Sequence, residues 1–277
     1  MSGLRLEVAG LVASLRDRGY IADRGLAVAV YLALALGRPL LLEGEAGVGK
    51  TELAKVMGTV LDRPLFRLQC YEGIDRHEAL YDWDYRAQLL ESRRVEGSDP
   101  LYREEFLLEG PILAAIRSEV PAVLLIDELD RADEEFEAFL LETLGEMQVT
   151  IPRLRTVRAK HQPFIVITSN RTRDLHDALR RRCIYEWIDY PDQELERQIV
   201  EAAVPGADAE LVARIAAAVE RLRRANLYKP PGIGESIDWA EALLALGSTD
   251  LVDGLPAALK VREDIEQVRR TAVLDQV

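Results

Sequence analysis

Gly44-Glu45-Ala46-Gly47-Val48-Gly49-Lys50-Thr51 is the stretch that decides the fold. It satisfies G-x-x-x-x-G-K-[ST] at every fixed position. It also lies between a short apolar run, Leu40–Leu42, and a helical pattern that opens at Glu52. A strand, a glycine-rich turn and a helix in that order let successive backbone N–H groups face one anion, and the helix N-terminus adds its partial positive charge. A chance glycine-rich turn has no need of those flanks. Gly44, Glu45, Ala46, Gly47, Val48, Gly49, Lys50, Thr51 and Glu52 are therefore the expected nucleotide-binding residues. In this reading Lys50 reaches the β- and γ-phosphates and the Thr51 hydroxyl ligates Mg²⁺.

Downstream, Val123-Leu124-Leu125-Ile126-Asp127-Glu128 reads as a buried strand with two carboxylates at its C-terminal end, the edge at which open α/β sheets bind ligands. Asp127 is expected to hold Mg²⁺ and Glu128 to polarise the attacking water. An acid pair after a strand is common by chance; downstream of a full phosphate loop it favours a hydrolase over a metabolite kinase. Asn170, after the run Phe164–Thr168, is either a turn former or the amide that orients the water or contacts the γ-phosphate. Arg180-Arg181-Arg182 is ordinarily a solvated face. The other reading is an arginine finger that reaches a neighbouring subunit's γ-phosphate. Arg131, Arg171 and Arg173 are further candidates near the same edge.

The remaining pattern extends this core. Apolar runs at Leu40–Leu42, Leu65–Gln69, Val123–Ile126 and Phe164–Thr168 alternate with helical stretches such as Glu52–Leu61 and Glu134–Leu144. That alternation predicts an α/β fold, a parallel sheet covered by helices. Arg67 makes Leu65–Gln69 the weakest of the strands. Glu91–Glu105 is polar, contains Gly97 and Pro100, and reads as a loop. After Ile184–Asp189 the texture turns helical: Gln193–Ala203 with Asp192 as N-cap, Ala209–Asn226, Ile237–Leu246 and Leu255–Ala272. The expected organisation is a nucleotide-binding core over 1–190 and a small all-helical lid over 191–277.

With 35 Lys and Arg against 48 Asp and Glu, the chain carries a net charge of −13. That argues against general nucleic-acid binding, which needs surplus cations. Cys70 and Cys183, far apart, read as idle thiols rather than a disulfide or a metal site. The longest apolar run, Leu26–Leu36, is too short for a bilayer and reads as a buried helix. No export signal is read at the start of the sequence, so a cytoplasmic protein without membrane contact is expected.

These residues, in this order, resemble the AAA+ ATPases, and the MoxR family in particular, over nearly the whole chain. The resemblance begins at Tyr20-Ile21-Ala22-Asp23 and includes Leu68-Gln69-Cys70-Tyr71-Glu72-Gly73 and Glu109-Gly110-Pro111-Ile112. The stretch from Gly145-Glu146-Met147-Gln148 to Lys160 looks like that family's β-hairpin, inserted near 145–163; its alternating Val149, Ile151, Val157 and Ala159 read as a hairpin on their own account. Tyr81-Asp82-Trp83-Asp84-Tyr85 and Arg182-Cys183-Ile184-Tyr185-Glu186-Trp187 to Pro191 look like a CoxD-type subgroup. The resemblance implies an ATP- and Mg²⁺-dependent hexameric ring that remodels a client protein or matures a metalloenzyme, with a von Willebrand A-type partner. It puts Arg182 on the finger position, with Arg181 as runner-up.

One departure stands out. The lid arginine of many relatives falls on Asp238, in Gly234-Glu235-Ser236-Ile237-Asp238, unless Lys229 takes over its task. Two rival readings stay open: a nucleic-acid motor or loader, and a nucleotide-gated interaction module with little turnover.

Overall fold

The computed structural model describes residues 7–92, 102–271 and 273–274. Its strands, in chain order, are β1 (Leu40–Gly44), β2 (Leu65–Gln69), β3 (Tyr81–Trp83), β4 (Leu107–Glu109), β5 (Val123–Asp127), β6 (Gln148–Ile151), β7 (Arg155–Arg158), β8 (Phe164–Ser169) and β9 (Ile184–Ile188). Five of them form the main sheet in the order β2-β5-β8-β1-β9. The pairs β2–β5, β5–β8 and β1–β8 are parallel. Every residue of β1, β5 and β8 is buried, which is why their sequences are almost continuously apolar. At the edge, β2 is only partly buried, so it tolerates the exposed Arg67.

The chain divides into two compact units. The described residues of one come mainly from 24–43 and 51–187; the other combines 9–23, 44–50 and 188–277. In the first, Leu41, Leu68, Leu124, Ile126, Ile165 and Ile167 share one core. The helix Pro111–Arg117 adds Ile112, Leu113 and Ile116, and Glu134–Glu146 adds Phe136 and Leu140. The expected hairpin forms from β6 and β7, with Val149 opposite Val157. Its three-residue turn holds Arg153 in the left-handed region. Of the loop expected over Glu91–Glu105, residues 93–101 lie outside the described residues. Glu91 and Ser92 instead close a helix, Tyr85–Ser92, and Glu104–Phe106 form a 3-10 turn. The small antiparallel pair β3–β4 has no counterpart among the sequence expectations.

The second unit takes in nearly all of the helix Val8–Arg16, and after residue 188 its helices are Gln193–Ala203, Ala209–Arg224, Ile233–Leu246, Leu255–Ala258 and Arg262–Thr271. Asp192 caps the first by accepting from Leu195 N–H at 2.8 Å. The single helix expected over Leu255–Ala272 is broken. The backbone becomes extended at the buried Leu259 and helix resumes at Arg262. Asp264, fully buried, accepts from the N–H groups of Tyr228 and Lys229, a tertiary demand that local periodicity does not report. Ala272 lies outside the described residues.

Arg223 ties this unit together. It donates to both oxygens of the buried Glu196, at 2.7 and 3.1 Å, and to the Pro231 carbonyl at 2.9 Å, and it stacks 4.4 Å over the Tyr190 ring. Removing one partner of a buried pair strands the other charge. Arg223→Ala should therefore cost about 3 kcal/mol, read as a lower denaturation midpoint in urea. A midpoint equal to that of the parent would show that Glu196 needs no partner.

Candidate functional site

The phosphate loop leaves β1 at Gly44, and the helix Lys50–Leu61 begins at its lysine. Lys50 is buried and its ammonium donates to the carbonyls of Gly44 at 2.7 Å and Glu45 at 2.6 Å. Gly47 has φ +81°, and a side chain there would lie 3.1 Å from Gly232 Cα. A side chain on Gly232 would in turn come within 2.9 Å of Gly47 Cα. Ile233 N–H donates to the Gly47 carbonyl at 2.9 Å. Both positions thus need glycine for close approach, and Gly47 needs it for its backbone conformation as well.

Asp127, at the end of β5, is 1% exposed. Its Oδ1 accepts from the hydroxyls of Thr51 at 2.8 Å and Thr168 at 2.6 Å. Its Oδ2 accepts from Arg67 Nε at 3.1 Å and Nη2 at 2.6 Å. Thr51 and Asp127 are hard oxygen donors in mutual contact, a set that suits Mg²⁺. No group of three or more His, Cys, Asp or Glu that could hold a metal occurs among the described residues.

Glu128 follows with φ +54°, outside the regions a non-glycine residue prefers. Its N–H is held by Thr168 Oγ1 at 2.8 Å, and the 3-10 turn Leu129–Arg131 begins directly after it. The carboxylate accepts from Gln69 Nε2 and from Arg131 Nη1, each at 3.0 Å. Asn170 comes just after β8, and its N–H donates to the buried Asp130 at 3.1 Å. Asp130 also accepts from the N–H and hydroxyl of Thr172, which fixes the turn that presents Asn170. The Asn170 side-chain amide has no hydrogen bond among the described residues.

The three arginines have different surroundings. Arg180 pairs at 2.8 Å with Glu43, a fully buried carboxylate in β1 that also accepts from Tyr185 OH. Arg182 donates to the Leu141 carbonyl at 2.6 Å and lies against Gly145. Arg181 is exposed, and its guanidinium has no partner among the described residues. Arg38 clamps the backbone around it by donating to the carbonyls of Arg181, Arg182 and Cys183. Arg173 pairs with the buried Glu137, and Arg171 lies 3.6 Å from Asp174.

In the helix Ile233–Leu246, Glu235 accepts from Gly232 N–H at 3.1 Å and Asp238 pairs with Lys260 at 3.3 Å. Burial pushes both thiols, Cys70 and Cys183, up to about 12, with Asp127, Asp130 and Glu128 adding to the effect at Cys70. Thiolate chemistry at neutral pH is thereby closed to them.

Sequence reasoning missed Glu43, Arg67, Gln69 and Thr168 as site residues. Arg67 and Gln69 carried a signal: two polar residues at period two in an otherwise apolar strand share a face.

A parallel sheet with a phosphate loop after one strand, an acid pair after another and a helical region following in the chain defines a P-loop ATPase of the AAA+ class. Residues 39–183 match the AAA domain (dynein-related subfamily), and the chain belongs to that family. Its substrate and cofactor are ATP and Mg²⁺, and its reaction is ATP hydrolysis. An uncharacterized protein of Staphylococcus epidermidis is 25% identical over 236 residues, covering 83% of this chain and 84% of that protein. A proline-to-glycine mutant of Thermotoga maritima RuvB superposes with a TM-score of 0.50 at 16% identity, over 94% of this chain and 74% of that one. The T. maritima RuvB Holliday junction branch migration motor gives 0.47 at 18% identity, over 84% of this chain. This chain spans 66% of that protein's length. Among the described residues no helix is long and apolar enough to cross a membrane.

Proposed function

We propose that this chain is a MoxR-type ATPase that assembles as a homo-oligomeric, hexameric ring and spends ATP on remodelling a client protein. The observation that carries the shared-site reading is Arg181: a guanidinium without a partner among the described residues, on backbone clamped by Arg38. A neighbour's γ-phosphate is the partner such a group suits. Lys50 and the loop amides bind phosphate, Thr51 and Asp127 hold Mg²⁺, Glu128 activates water and Asn170 orients it. Arg182 remains the alternative finger, with loss of its bond to Leu141. The CoxD-like stretches make a metalloenzyme under maturation the first client class to try, with a von Willebrand A-type partner. The proposal keeps a core over 1–190, a lid over 191–277 and a cytoplasmic setting.

A nucleic-acid motor is the second reading, favoured by the RuvB-like fold and opposed by the net charge of −13. ATPase assays with DNA and RNA across a salt series separate the two. The client reading expects no stimulation by either nucleic acid. Strong stimulation with a steep salt dependence would transfer the assignment to the motor.

A further inference from the structure

Arg67 has no part in the chemistry described so far, yet it occupies half of the Asp127 carboxylate. A carboxylate offers about four lone-pair sites. Here Thr51 and Thr168 take those of Oδ1, and Nε and Nη2 of Arg67 take those of Oδ2. The contact spans two strands: Arg67 lies opposite Leu125 in the β2–β5 register, and its side chain runs along the same face to Asp127. The same Nη2 also donates to Gln69 Oε1, and Gln69 donates to Glu128. The guanidinium therefore stands where both carboxylates of the acid pair feel it.

From this geometry we infer that Arg67 is a positioning residue that sets the metal requirement of the site: a built-in cation with which Mg²⁺ shares Asp127. The inference rests on the reading of Thr51 and Asp127 as the Mg²⁺ side of the site. When bound, Mg²⁺ supplies charge neutralisation at the β- and γ-phosphates. The fork of Arg67 holds the buried Asp127 neutralised and aimed. A divalent cation at Thr51 and Asp127 then meets a positive charge on the far oxygen, so capture of the metal-bearing nucleotide needs more Mg²⁺ than an unpaired aspartate would need. A merely structural role has the opposite sign. If Arg67 only oriented Asp127, removing it would disorder the ligand and weaken the metal.

The test is a Mg²⁺ titration of a fluorescent, non-hydrolysable ATP analogue on the full chain, with nucleotide saturating and turnover not measured. Arg67→Gln should lower the half-saturating Mg²⁺ about tenfold, because one unit charge is removed from beside the metal position. Arg67→Lys keeps the charge without the fork, so its half-saturation should lie nearer to that of the parent than to that of the neutral variants. Arg67→Thr, a good strand former, repeats the neutral case should glutamine disturb the edge strand. An unchanged or raised half-saturation in the neutral variants overturns the inference while leaving the site reading intact. A parent protein whose nucleotide binding ignores Mg²⁺ would overturn the site reading first, and the inference with it.

Discussion

Arg181→Ala should bind ATP as the parent does and hydrolyse it about a thousandfold more slowly, the lower end of what an arginine finger contributes. The reason lies in what the three adjacent arginines touch. Arg180 is committed to Glu43, whose fully buried carboxylate would be stranded without it. Arg182 is bonded to the Leu141 carbonyl. Arg181 alone of the three projects without a partner among the described residues. Its loss should therefore be silent in the variant's own fold and felt in the neighbour's transition state. Two further readings follow from a shared site. Mixing Arg181→Ala with Glu128→Gln should restore part of the activity, because a mixed interface can pair an intact Glu128 with an intact finger. Specific activity of the parent should also fall on dilution below the assembly concentration. Absence of rescue in demonstrably mixed rings, with activity flat on dilution, would sink the finger. Arg182→Ala serves as the comparison: a larger rate loss there than at Arg181 would move the finger one residue along.

Glu128→Gln is the second large effect. The substitution keeps an oxygen able to accept from Gln69 and Arg131, so the side chain can hold its place while losing the charge that draws a proton from water. Nucleotide binding should persist, and single-turnover hydrolysis should fall about a thousandfold, within the range general bases supply. Turnover at the parent rate would mean that another group activates the water.

The parts of this molecule that were legible are those whose signal is local. β1, β5 and β8 are buried on both faces, so each is almost continuously apolar. The phosphate loop and the acid pair are contiguous motifs. Arg67 and Gln69 were readable only as an interrupted strand, because their meaning lies in the register with β5; Arg67 and Asp127 are 60 residues apart. The arginine triplet had the same difficulty. What removes Arg180 from the list of free cations is Glu43, at a separation of 137 residues. β3 and β4 have three residues each and pair across the segment 84–106, too little local pattern to read. Ahead of the helix Ile233–Leu246, Pro230-Pro231-Gly232-Ile233-Gly234 reads locally as a connection. The helix begins at Ile233 because Glu235 reaches back to cap Gly232.

The bare contact between Gly47 and Gly232 has a mechanical side. Side chains between two moving parts act as cushions, since rotamers give before backbones do. Here there is no cushion: backbone meets backbone, and Ile233 N–H is pinned to the Gly47 carbonyl. The first turn of the helix Ile233–Leu246 is thereby tied directly to the loop backbone. That helix has 14 residues. As a lever it is about 21 Å long at 1.5 Å per residue, so a tilt of about 5° at its foot carries its tip about 2 Å. The tip bears Leu244 and Leu246, both exposed. The loop and a helix with an apolar, exposed end are thus joined at two positions that carry no side chain.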